Sequence, residues 1–220
     1  VGISYLDATA FCRWLSQQSG ECFRLPTEAE WEYACRGAAS RQNADDLDGL
    51  AWHSGSGAKS THPVARKKPN AWGLCDMQGN ATEWCEDLYD GNYGRVPRDG
   101  NAHTVPGVPA VAAARRVLRG GSWSSPAQAC RPSYRCPAPA AHRGSDTGFR
   151  IVRDIESSNH RNASPGPSDP RRPPTQTVGC APHTIAMPCL QGRCAVPTLR
   201  LEVDGVAFEF VRIEIGRAQV

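Results

Sequence analysis

The chain reads as an α+β domain with two helices, a small antiparallel sheet and long stretches of structured loop. Three observations carry that reading. Two segments near the start have helical spacing, short β-like runs stand at 117–119 and 148–152, and 18 prolines and 21 glycines punctuate 220 residues. So many chain-breaking residues keep regular elements short and leave the rest to turns. Apolar residues make up 40% and charged residues 21%, the balance of a globular chain long enough to bury a core. Net charge is only +3, and the arginines are scattered without interleaved aromatics, which argues against a nucleic-acid surface. No apolar run approaches the ~20 residues that a membrane span requires.

The first helix is placed at 5–18, where Asp7, Ala8, Phe11, Cys12 and Leu15 recur at helical spacing. The second starts at Thr27, with Glu30 three residues on as its capping-box partner and Pro26 ahead of the cap. It is expected to run to Arg36 and stop at Gly37 in a left-handed cap. On it, Trp31 and Ala34 should face inward, Glu28 and Glu32 water. Between 38 and 116 periodicity fades; short candidates stand at 50–53, 73–77 and 82–86, and the Gly-, Pro- and Ala-rich stretch 94–114 reads as an exposed insertion loop.

Beyond 154 the composition shifts, and 155–198 reads as a Pro-rich linker with few apolar residues in its first half. Residues 199–220 then alternate, with Asp204-Gly205 placed as a tight hairpin turn between two strands. Ten cysteines without a C-x-x-C spacing argue against a zinc ribbon and permit a secreted or periplasmic location. The compartment itself is not legible. Val1 opens within an element and without an initiator methionine, so the chain is read as a piece of something longer.

Three segments in order carry a likeness. They are Arg24-Leu25-Pro26-Thr27-Glu28-Ala29-Glu30-Trp31-Glu32-Tyr33, then Gly79-Asn80-Ala81-Thr82-Glu83-Trp84, then Gly120-Gly121-Ser122-Trp123 followed by Cys130 and Cys136. Supporting segments are Thr61-His62-Pro63-Val64, Pro69-Asn70-Ala71-Trp72-Gly73-Leu74 and Gly148-Phe149-Arg150-Ile151-Val152. Over residues 1–154 the chain resembles the formylglycine-generating enzyme family, also called the sulfatase-modifying-factor family. That resemblance implies a loop-rich C-type-lectin-like fold whose N-terminal part is missing here. The 199–220 hairpin is then either a permuted strand of this domain or the start of a second copy; the second is preferred.

The resemblance also implies chemistry. Enzymes of this family oxidise a cysteine of a sulfatase peptide with O2, and some relatives act on small thiols with iron held by histidines of a separate helical domain. It places calcium at the 78–83 turn, with Gln78, Gly79, Ala81 and Glu83 as ligands, a hard oxygen set of the kind calcium prefers. It places a disulfide between Cys35 and Cys136. Cys12 is left either free in a helix face or paired with Cys22. The copper-dependent enzymes hold Cu(I) between two thiolates, with a serine and a tryptophan, here Ser122 and Trp84, shaping the oxygen pocket. Aligned from Gly121, the two thiol positions fall on Ser125 and Cys130; aligned from Cys136 the register shifts by one. Neither register supplies two cysteines, and a hydroxyl is a hard, weak ligand for Cu(I). Cys85 is the other thiol within sequence reach of the site. His62 reads as a structural histidine rather than an iron ligand, and Cys180, Cys189 and Cys194 as surface disulfides.

Two functions remain open from these residues. The first is an oxidoreductase of the formylglycine-generating type, with Cys130 meeting a substrate thiol and copper or iron as cofactor. The alternative is a non-catalytic ligand- or protein-binding module on the same fold, which the serine at 125 and the long 94–114 loop favour.

Overall fold

The first helix begins where Ser4 and Asp7 cap one another. The Asp7 amide donates to Ser4 Oγ at 3.2 Å and the Ser4 amide returns to Asp7 Oδ2 at 2.9 Å, satisfying N–H groups that a helix start leaves unpaired. In the computed structural model this helix, α1, spans Tyr5–Ser19 and ends at a left-handed Gly20 whose N–H bonds Ser16. The structure describes residues 1–37, 47–97, 99–104 and 114–155, together with the backbone strands 198–203 and 206–211. Helix α2, Glu28–Arg36, carries the expected Thr27–Glu30 capping box. Gly37 closes it with φ 57 and ψ −156, a positive-φ stop that is not the left-handed cap expected. A one-turn helix α3, Leu47–Leu50, follows.

Among the described residues, eight short strands form two four-stranded sheets. The first runs β1 (Cys22–Arg24), β6 (Ile151–Ile155), β8 (Val206–Val211), β7 (Thr198–Val203), antiparallel throughout. The second runs β4 (Cys136–Pro139), β3 (Arg115–Arg119), β2 (Thr82–Leu88), β5 (Thr147–Phe149). Its β2–β5 pair is parallel, so the single antiparallel sheet read from the sequence is in fact two sheets, one of them mixed. The 148–152 run, read as one strand, splits at Arg150 into β5 and β6, which belong to different sheets. The C-terminal strands pair from Val203↔Val206, and β8 adds to the free side of β6.

Alternation along the strands divides the core in two. Trp84, Leu118 and Ile151 join Tyr5, Ala8, Cys12 and Leu25 of one cluster, while their sequence neighbours Cys85, Val117 and Val152 join Trp31, Ala34, Cys35 and Met77 of the other. Adjacent residues of a strand point to opposite faces, so each sheet contributes to both clusters. Part of the 94–114 stretch is not a free loop: the Leu88 amide bonds the His103 carbonyl and the His103 amide bonds Asp87, at 2.9 and 2.7 Å. Residues 105–113 and Cys180, Cys189 and Cys194 lie outside the described residues.

Glu28 departs most from expectation. It is 1% exposed rather than facing water, because Arg135 grips its carboxylate at 2.5 and 2.7 Å and Arg119 stands 3.5 Å away. Glu32, mostly buried as well, is claimed by Arg119. Two buried carboxylates facing two arginines satisfy the condition under which charge can be buried at all.

The turn before β2 is the tightest point of the frame. Gly79 has φ 73, and a Cβ there would lie 2.2 Å from the Trp52 carbonyl oxygen. Gly79→Ala is expected to cost roughly 3 kcal/mol of unfolding free energy, combining strain with steric overlap. Urea denaturation followed by tryptophan fluorescence measures it.

Candidate functional site

The 78–83 turn positions the loop that follows β3. The Gly79 amide donates to the Gly120 carbonyl at 2.8 Å, the Trp123 amide to the Asn80 carbonyl at 3.1 Å, and Gln78 Nε2 to the Cys130 carbonyl at 2.9 Å. Three consecutive residues of one turn thus fix the start, middle and end of the 120–130 loop. Gly121 lets that loop fold on itself: at φ 66, a Cβ would sit 2.9 Å from Cys130 Sγ and 2.9 Å from the Ala129 carbonyl oxygen.

Three serines of the loop meet the carboxylate of Asp146, the residue before β5. Ser122 Oγ donates to Asp146 Oδ2 at 2.6 Å and lies 3.0 Å from both Ser124 Oγ and Ser125 Oγ. Ser124 Oγ donates to the same carboxylate oxygen at 2.8 Å, and Ser125 Oγ accepts the Ser122 amide at 3.0 Å. Burial alone would raise the pKa of Asp146, but the two serine hydroxyls outweigh it and hold the carboxyl below its ordinary value. Ser122 is fully buried, Asp146 half-buried and Ser124 exposed, so the network runs from the interior to the surface.

Cys130 is fully buried at the loop's end, and burial pushes its thiol pKa up to about 11. Its Sγ has only a long contact, 3.9 Å, with the Pro126 carbonyl. At neutral pH the thiolate fraction is on the order of one in ten thousand. Cys85 comes from β2 into the Trp31–Cys35–Met77 cluster and has different neighbours from Cys130. Trp84 is fully buried in the other cluster, with its indole N–H given to the Ile3 carbonyl at 2.8 Å rather than turned to Ser122. His62 stacks on Trp52 with 3.8 Å between ring centroids, and its backbone is bonded by the Asn80 side chain. Its ring Nδ1 is buried without a hydrogen-bond partner among the described residues, so the ring is held by stacking and the hydrogen bonds are those of its backbone.

The Cys35–Cys136 bridge is not formed. Cys136 carries a free thiol and packs in the Tyr5–Cys12–Leu118 cluster, opposite Leu118 of β3, whereas Cys35 lies in the cluster of Val117 on the other face of that strand. Cys12 is likewise a buried free thiol, with no bridge to Cys22.

The donors present do not fit the implied metals. Cu(I) between two thiolates needs a second sulfur beside Cys130, and Ser125 offers a hydroxyl already bound to Ser122. At the 78–83 turn, Arg150 takes both Glu83 oxygens at 2.5 and 2.7 Å, and Trp31 Nε1 donates to one of them at 2.7 Å. The Gly79 carbonyl accepts the Ala81 amide at 2.9 Å. Two of the four ligands named for calcium are therefore already engaged. Among the described residues no group of three or more His, Cys, Asp or Glu side chains is placed to hold a metal ion, and no helix is long and apolar enough to cross a membrane.

Asp146, Ser124 and Arg150 were not singled out as site residues. Arg150 stood inside an apparent apolar strand, where a lone arginine between Phe149 and Ile151 was the available signal. Asp146 had no local pattern to mark it.

The arrangement defines a loop-rich α+β module with two small sheets and a hydrogen-bonded loop held on an internal turn. The sequence profile of the sulfatase-modifying factor enzyme 1-like domain matches residues 1–155, and the chain belongs to that family. It is 37% identical over 181 residues to the formylglycine-generating enzyme of Streptomyces coelicolor, covering 71% of this chain and 52% of the enzyme. The serine/threonine-protein kinase pkn1 of Chlamydia caviae is 31% identical over 159 residues, which are 71% of this chain and 24% of the kinase. Among solved structures, PvdO from Pseudomonas aeruginosa superposes with TM-score 0.61 at 28% identity, covering 70% of this chain and 61% of that one. Treponema denticola variable protein 1 gives 0.57 at 30%, covering 68% and 69%. The chain thus spans about half the length of the Streptomyces enzyme and a quarter of the kinase.

The raised thiol pKa has a measurable sign. Below about pH 9 Cys130 is protonated folded or unfolded, and its burial adds no pH dependence. As pH climbs from 9 toward about 11 the unfolded chain ionises first, so stability falls through that window. Iodoacetamide labelling of Cys130, followed by peptide mass spectrometry, should stay slow at pH 8 and accelerate only toward pH 11.

Proposed function

We propose that this chain is a binding module of the sulfatase-modifying-factor family that keeps the family's frame without its two-thiol oxidation. The observation that carries this reading is the state of the 120–130 loop. Where two reactive sulfurs are required, Ser125 is closed into a hydroxyl network with Ser122, and the one thiol, Cys130, is buried and protonated. A buried thiol with raised pKa is a poor nucleophile and a poor metal ligand. The family's occurrence within a chain named as a chlamydial kinase supports a role in recognition, because a domain of this kind there forms part of a protein whose name refers to a different activity. The surface presented is the rim of exposed Ser124 and half-buried Trp123, on a loop held by backbone hydrogen bonds, with half-buried Asp146 contributed from the residue before β5. A rigid scaffold carrying an exposed loop suits binding without chemistry.

The second reading is oxidation of a cysteine-containing peptide or small thiol, favoured by the 37% identity to a formylglycine-generating enzyme. One experiment separates them. The protein is incubated with copper, O2 and the peptide Leu-Cys-Thr-Pro-Ser-Arg, and aldehyde formation is followed by mass spectrometry and oxygen uptake. We expect no aldehyde from the wild type, and Cu(I) binding only after Ser125→Cys. Aldehyde that appears with the wild type and vanishes in Cys130→Ser would overturn the binding-module reading.

A further inference from the structure

Arg150 sits where the chain leaves one sheet and enters the other, between β5 and β6. Its guanidinium turns inward to a set of oxygens that resembles a cation's coordination shell. Nε and Nη2 reach Glu83 Oε2 and Oε1 at 2.5 and 2.7 Å, and Nη2 also reaches the carbonyls of Asp76 and Cys75 at 3.2 and 3.4 Å. Both side chains are largely buried, 16% exposed for Arg150 and 11% for Glu83. We propose that the Arg150 guanidinium is the resident cation of the 78–83 turn, in place of a calcium ion, so that this frame is assembled without divalent metal.

The charges decide the matter. Glu83 carries one negative charge and Arg150 one positive, a bidentate pair in which each neutralises the other. A calcium ion sharing the same carboxylate would set two further positive charges within a few ångströms of a guanidinium in a poorly solvated interior, where repulsion is weakly screened. Asp76, whose carboxylate accepts the Ala65 amide at 2.7 Å, is the other acid near the guanidinium. Burial pulls the Arg150 pKa down, but Glu83 and Asp76 more than offset it, so the group stays charged at every accessible pH. A tethered cation differs from a bound one in a functional respect: it cannot be removed by chelation or low calcium. The loop fixed by this turn is then held in the same geometry whatever the metal content of its surroundings, and this holds whether or not the loop carries out chemistry.

The test is thermal unfolding of the full chain in EDTA and in millimolar calcium chloride. We expect the same Tm in both, and a fall of roughly 10 °C in Arg150→Gln measured in EDTA, because Glu83 is left buried and unpaired. A wild-type Tm that rises with calcium, in a response abolished by Glu83→Gln, would overturn the proposal, as would an unchanged Tm in Arg150→Gln. A calcium response that survives Glu83→Gln lies elsewhere and leaves the turn metal-free as proposed. Should either variant fail to fold, terbium luminescence on the wild type gives an independent reading. The Trp31 indole donates to Glu83 at 2.7 Å and would sensitise a lanthanide bound there. We expect no calcium-displaceable emission that depends on Trp31; emission displaced by calcium and lost in Trp31→Phe would overturn the proposal.

Discussion

The carboxylate of Glu83 ties together parts of the chain that have no sequence proximity. It lies on β2, it accepts the indole N–H of Trp31 from α2, and it pairs with Arg150 at the step between the two sheets. In the strand register it stands beside Arg119 on one side and Gly148 on the other. A second ionic knot, Glu28 and Glu32 with Arg119 and Arg135, holds the same helix from either side of Trp31. Burying charge costs several kcal/mol per ion unless every partner is in place. The benefit is geometric: guanidinium and carboxylate pair in one orientation, whereas short strands and loops packed by apolar contact alone would tolerate several. For a chain rich in glycine and proline, this is how distant loops acquire one arrangement.

That frame is separable from the chemistry it carries. The 78–80 residues grip the 120–130 loop by one side-chain and two backbone hydrogen bonds, and the backbone bonds do not depend on the side chains at 123, 125 or 130. A serine can replace a thiol at 125 without disturbing the turn, because what the turn recognises there is peptide carbonyl and amide. This explains how a chain can keep a fold at TM-score 0.61 to a solved relative while its loop holds hydroxyls and a carboxylate. Fold and function are constrained by different atoms of the same residues.

What was legible in the sequence was local. Ser4 and Asp7, then Thr27 and Glu30, marked two helix starts because capping is a three-residue interaction. The C-terminal hairpin followed from short-range alternation, while β2 stood out only as a short candidate run at 82–86. The parallel β2–β5 pair did not, since the two strands are more than sixty residues apart and nothing local distinguishes a parallel edge. Glu28 was placed in water for the same reason: helical spacing assigns it a face, but its burial is decided by Arg135, 107 positions away. At the site, Ser122 and Cys130 were found from the glycine pair, while Asp146 and Arg150 contribute only through tertiary contacts. Strand parity sets apart the two cysteines of the implied disulfide, Cys35 and Cys136. Val117 and Leu118 are neighbours in sequence and face opposite clusters, and the two cysteines follow one each.

Burial bears on the remaining thiols in a way that count alone hides. Cys12 and Cys35 are pushed up to about 12, Cys130 to about 11, and Cys85 well above its ordinary value, all by desolvation first. Thiolate is the species that attacks disulfides, ligates soft metals and reacts with oxidants. At Cys12, Cys35 and Cys130 the interior suppresses it by two or more powers of ten at neutral pH, and at Cys85 in the same direction. The high cysteine content therefore does not make the described core reactive; these sulfurs act there as small apolar side chains. Oxidative chemistry at the 120–130 loop would need both a second sulfur at 125 and an environment that stabilises negative charge on Cys130. For Cys130 no charged group offsets burial.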